Sequence, residues 1–169
     1  MCRGDAVGRA VSQSVFHSRT STIVYTSHLM KEVDFIHLAT HGKADAVYFA
    51  GRSEQEATLT MGDVEKLSLQ ARLVVLSECD SFRGEYRSDG VIGVARAFLA
   101  AGALTVVASL WKVHDDATRH LMKRFYTELF KRKCGGVALA MQAAMRSMIY
   151  EEWDVWKWAP FLVYGRSDL

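Results

Sequence analysis

His41 and Cys79 are the two side chains in this sequence whose types and positions allow covalent chemistry. Each follows a run with strand composition. Asp34-Phe35-Ile36-His37-Leu38-Ala39-Thr40 leads into His41-Gly42, and Leu73-Val74-Val75-Leu76 stops abruptly at Ser77-Glu78-Cys79-Asp80. Four apolar residues without a charge, β-branched at the centre, have the composition of a strand buried on both faces. Residues just past the carboxyl end of such a strand lie where open α/β sheets place their chemistry. A thiol there is a nucleophile once ionised, and an imidazole beside it can ionise it or protonate a leaving amine. If the two strands are parallel neighbours, both side chains project from one edge of the sheet. Spacing alone also fits a plainer reading, a small buried thiol and a hydrogen-bonded turn histidine.

Other chemistries find less support. His37 and His41 are four residues apart, but on a strand that is roughly 13 Å, too far to share one ion. No third ligand stands at a suitable spacing, so no zinc site or other cofactor is expected. The sequence has no Gly-x-Ser-x-Gly elbow around Ser77, no phosphate loop and no Gly-x-Gly-x-x-Gly. Cys2 and Cys134 have no base in a recognisable motif. Asp89 and Asp115 stand at helix starts past strand ends, where an acidic pocket would suit a basic substrate residue. Helix capping explains both without any substrate and is the favoured reading, since aspartate is preferred at helix starts. Trp111 could wall a substrate groove, although a tryptophan after a buried strand is expected in the core.

The elements that must position these residues alternate between strand and helix. Ala46 to Ala50 reads as a short strand turning at Gly51-Arg52-Ser53, and Thr60 caps a short helix from Met61 to Leu67. Ser88 caps a helix from Asp89 to Ala101, with Val91, Val94, Ala95, Phe98 and Leu99 on one face and Gly102 as its stop. Ala103 to Leu110 is a second apolar strand. A helix begins at Asp115 and runs to about Lys131, another spans Val137 to about Tyr150, and Phe161 to Tyr164 makes a final strand. Within the first 33 residues, Asp5 to Val15 is weakly helical and Thr22 to Tyr25 fits strand or helix equally. The pattern predicts a three-layer α/β sandwich on a mostly parallel sheet, with crossovers long enough for right-handed βαβ units.

The totals agree with one domain. A chain of 169 residues buries roughly 70% of its unfolded surface without staples. A net charge of +2 gives no electrostatic reason to expect nucleic acid or an anionic membrane. No apolar run approaches the ~18 residues of a membrane span. Three unpatterned cysteines argue against a disulfide framework and for a reducing, cytoplasmic setting.

Six short segments, taken together and in order, resemble the CHAT domain. They begin with Ile36 to Gly42 and Val75 to Ser81. They continue through Asp89 to Ala103, Ala108 to Thr118, Phe125-Tyr126 and Trp158 to Gly165. The family is caspase-like, is associated with tetratricopeptide repeats, and shares a cysteine-peptidase clan with caspases, separase and gingipains. The resemblance covers about residues 34–165 and leaves 1–33 as a poorly defined segment and 166–169 as a tail. It implies a cysteine endopeptidase acting on a protein partner through a thioester acyl-enzyme. His41 would be general acid/base and Cys79 nucleophile. The backbone N–H groups of Gly42 and Cys79 would form the oxyanion hole, and Thr40 would orient the histidine loop. Glu78 stands where many members carry a small residue. Neighbours on an extended strand end point to opposite sides, so its carboxylate is expected to face away from the thiol. The repeat array and the first core strand that precede the histidine motif in family members are not recognisable in the opening segment, as in a fragment or a shortened paralogue. The other class of function this suggests is a non-catalytic caspase-like interaction module. An exposed sheet edge would also make pairing with a second copy plausible.

Overall fold

The computed structural model describes residues 13–17, 30–39, 41–43, 46–49, 53, 57–77, 88–111, 114–131 and 136–167. Five strands form the large sheet: β1 (Gln13–His17), β2 (Phe35–Ala39), β6 (Leu73–Leu76), β7 (Thr105–Ser109) and β8 (Phe161–Gly165). Their spatial order is β1-β2-β6-β7-β8, with the first four parallel and β8 antiparallel to β7. A small antiparallel sheet of β3 (His41–Lys43), β4 (Ala46–Tyr48) and β5 (Thr58–Thr60) leaves the large one directly after β2. The helices are α1 (Met61–Glu65), α2 (Ser88–Ala100), α3 (Asp115–Lys131) and α4 (Val137–Tyr150), and Val155–Lys157 forms a single 3-10 turn. The expected α/β sandwich on a mostly parallel sheet is what the chain forms.

Topology explains the layering. Right-handed crossovers that always step in the same direction must put their helices on one face. β2, β6 and β7 step in one direction, and α1 and α2 accordingly share a core with Ile36, Leu38, Val74, Leu76, Val106 and Ala108. The opposite face is covered by α3 and α4, which precede an antiparallel strand and so escape the handedness constraint. Leu121, Phe125, Ala140 and Ala144 pack there against Leu73, Val75, Val107 and Phe161.

The local signals are chemical. Thr60 and Asp63 make a reciprocal capping box at the start of α1, with Asp63 N–H donating to Thr60 Oγ1 and Thr60 N–H to Asp63 Oδ2, both at 3.2 Å. Gly102 ends α2 in a Schellman turn. Its N–H donates to Leu99 O and that of Ala103 to Phe98 O, both at 3.1 Å, with φ of +114° at the glycine. A Cβ on Gly102 would lie 2.5 Å from Leu69 O, so the close approach of the α1–β6 connection also requires glycine.

One expectation is corrected. The opening segment does supply a strand, since β1 pairs with β2 in parallel over five residues from Gln13↔Phe35 to His17↔Ala39. An edge strand is fixed by its one ladder and needs no continuous apolar run, so Gln13-Ser14-Val15-Phe16-His17 carries little signal of its own. Thr22 to Tyr25 lies outside the described residues.

Candidate active site

The carboxyl ends of β2, β6 and β7 form the edge on which the sequence places its chemistry. β2 and β6 pair from Phe35↔Leu73 to Leu38↔Leu76, and Ser77 N–H extends the ladder by donating to Leu38 O at 3.1 Å. Every pair differs by 38 residues, and 38 also separates His41 from Cys79. His41 is the first residue of β3 and pairs with Tyr48, so the chain turns out of the large sheet immediately after β2. Gly42 follows it in β3, opposite Val47. Cys79, Glu78 and Thr40 lie outside the described residues, as do Cys2 and Cys134.

The side chains near this edge change character along the strands. On the face toward α3 and α4, Phe35, Leu73, Val75 and Val107 give way to His37, Ser77 and Ser109, and β2 closes on that face with the small Ala39. Ser77 is 3% exposed and Ser109 is 6% exposed, so each hydroxyl needs a partner. Ser109 Oγ–H donates to Trp111 O. Ser77 Oγ lies 2.6 Å from His37 Nε2, and the other ring nitrogen, Nδ1, lies 2.9 Å from the Tyr126 hydroxyl on α3. A neutral imidazole donates through one nitrogen and accepts through the other, and either tautomer satisfies both hydroxyls. Burial pushes the Tyr126 phenol well above its ordinary range, so it stays protonated. With both ring nitrogens engaged, His37 has none left for a metal. Among the described residues no cluster of three or more His, Cys, Asp or Glu could hold one.

Beyond β7 the surface is aromatic. Trp111 is 40% exposed, against the expectation of a core position. β7 ends two residues earlier, which carries the indole past the sheet, where its Nε1–H donates to Trp156 O at 2.9 Å. The His114 ring meets Trp156 edge-on at 5.3 Å, and Lys157 Nζ lies over the Trp153 and Trp156 rings at 5.3 and 5.4 Å.

The two candidate aspartates sit one step further into their helices than capping predicts. α2 begins at Ser88, which puts Asp89 in its first turn. α3 begins at Asp115, which is exposed, and Thr118 N–H donates to His114 O at 2.9 Å. The side-chain bond described in that turn is from Ala117 N–H to Asp116 Oδ1, at 2.9 Å. Both aspartates therefore follow strands that end on the candidate edge, Asp89 after β6 and Asp115 after β7.

Sequence reasoning missed the Ser77–His37–Tyr126 cluster. Its partners are 40 and 89 residues from His37. The available signal was phase: His37 alternates with buried Ile36 and Leu38 and shares a face with Phe35, where a hydrophobe would be expected.

A buried parallel sheet, a histidine motif at the end of one inner strand and a cysteine motif following the next are the features of one class of protein. The family model of the CHAT domain matches residues 5–166, and the chain belongs to that family. The match takes in most of the opening segment as well as β1. Tetratricopeptide repeat protein 28 of Homo sapiens is 38% identical over 117 residues, and that of Mus musculus is 34% identical over the same length. In each case 68% of this chain is covered but only 5% of the relative, so the chain corresponds to a small part of those proteins. A solved structure titled "Structure of Protease" matches with a TM-score of 0.42 and 12% identity, covering 86% of this chain and 37% of that one. No helix among the described residues is long and apolar enough to cross a membrane.

Proposed function

We propose that the chain is a caspase-like cysteine endopeptidase domain in which Cys79 is the nucleophile and His41 the general acid/base. One observation carries the reading: the β2–β6 register has the same 38-residue offset as His41 and Cys79, so the two motifs leave neighbouring strands at one level. In the reaction, the Cys79 thiolate attacks the scissile carbonyl carbon and forms a C–S bond. The tetrahedral intermediate collapses as the C–N bond breaks and protonated His41 gives its proton to the amine. Water then attacks the thioester, His41 takes its proton, and the thiol is released with the acid product.

The oxyanion would be held by the N–H groups of Gly42 and Cys79. The place of Gly42 directly after His41 on β3, opposite Val47, supports it in that role. Asp89 and Asp115 would bind a basic substrate residue, supported by their place after the two strands that end on this edge. The substrate is a protein partner.

Labelling by a thiol-reactive peptide electrophile tests the reading. The parent chain is expected to label at Cys79, and Cys79→Ala and His41→Ala to lose that label. Equal labelling of all three, at Cys2 or Cys134, would overturn it. A second reading, a non-catalytic interaction module, takes its support from the tetratricopeptide repeats named for the relatives; it expects no Cys79-dependent label at all.

A further inference from the structure

From the geometry we infer that His37, Ser77 and Tyr126 form a positioning device for the dyad, an inference that rests on the peptidase reading above. His37 lies four residues before His41, and Ser77 lies two before Cys79. One imidazole therefore ties the last turn of chain before each motif to the other, and both to the helix that covers that face. The Ser77 N–H bond to Leu38 O fixes the same two strands through the backbone, so Ser77 is held at both its main chain and its side chain.

The composition of this point calls for such a role. Two residues earlier, on the same face, β6 carries Val75, fully buried and packed in the α3/α4 core. Burying three polar groups at that boundary is unfavourable unless each finds its partner, and apolar residues would pack there without the requirement. What a hydrogen-bonded trio supplies that apolar packing does not is direction. Strand, strand and helix meet at one separation and one angle, because a hydrogen bond weakens steeply when either changes. A displacement of about 1 Å at reacting groups can lower a rate by about a hundredfold, so rigidity at the roots of both motifs bears directly on the chemistry. None of the three touches substrate; they act through His41 and Cys79.

The test uses the full chain and the same peptide electrophile, with the labelling rate at Cys79 followed against pH. Tyr126→Phe and Ser77→Ala each delete one oxygen and keep most of the packing. The parent is expected to label with a midpoint below the roughly 8.5 of a free thiol. In both variants the midpoint is expected to rise toward that value and the rate at neutral pH to fall about tenfold or more. The double variant should be no worse than the weaker single one, because both act through one imidazole. Melting temperature, measured alongside, separates unfolding from mispositioning. Variants that stay folded and label with the parent's midpoint and rate would overturn the inference while leaving the peptidase reading intact. Labelling of the parent that does not require Cys79 would overturn both.

Discussion

The two faces of the large sheet are built from the same strands and end differently. Toward α1 and α2 the apolar pattern runs the full length: Ile36 and Leu38, Val74 and Leu76, Val106 and Ala108 are all nearly or fully buried. Toward α3 and α4 it gives way near the carboxyl ends to His37, Ser77 and Ser109, with the small Ala39 following His37 at the end of β2. The hydrophobic effect is non-directional and rewards area, so the first face can supply stability without fixing fine geometry. Hydrogen bonds add little net stability each but specify distance and angle. The protein thus separates the two tasks by strand alternation alone, since consecutive residues of one strand serve opposite faces.

Substitutions on each face test that separation. Phe98→Ala removes a fully buried ring from the α2 core and is expected to lower unfolding free energy by about 3–5 kcal/mol, read from denaturant midpoints. Phe125→Ala should do the same from the α3 side, because α3 is apolar where it meets Val75 and Val107. A loss of less than about 1 kcal/mol at either ring would break the comparison. Gly102→Ala follows, on the order of 3 kcal/mol, because it combines positive φ with contact against Leu69 O. Thermal unfolding of that variant should show the loss without any change in Cys79 labelling of the remaining folded protein.

The smallest effect belongs to the capping box. Thr60→Ala should cost about 1 kcal/mol and remove an acid dependence. A hydrogen bond from the Thr60 hydroxyl, aided by Lys66, holds the Asp63 carboxyl below its usual 3.8 in the folded chain. A lowered folded-state value means that the stabilisation is present above the unfolded value and fades as pH falls through the folded one. Stability of the parent should therefore decline on the acid side of 3.8 more than that of Thr60→Ala, when both are titrated by denaturant unfolding.

Legibility in the sequence followed the same division. β6 and β7 are continuous apolar runs, α3 and α4 have clear helical phase, and Gly102 and Thr60 are terminal signals with a stated mechanism, so these elements and their order could be read directly. β1 and β5 could not. Both are short edge strands of their sheets, and pairing rather than composition fixes them. The histidine and cysteine motifs were visible as strand ends, and their shared 38-residue offset needed the observed register to acquire meaning. The His37 cluster was out of reach because its partners lie on two other elements. Trp111 was misplaced because the sequence does not reveal that β7 stops at Ser109, two residues short of it.

The five strands of the large sheet stand in space in the order in which they occur along the chain. Each strand therefore joins the open flank of one already in place, and none has to be inserted between two that are paired. Every pairing closes a loop to the immediately preceding strand of that sheet, which keeps down the closure entropy that slows non-local sheets. A ribosome delivers about 5–20 residues per second, far slower than such loops close. The sheet can be laid down strand by strand as it is synthesised, with β8 arriving last to turn antiparallel and bring α3 and α4 down over the finished face.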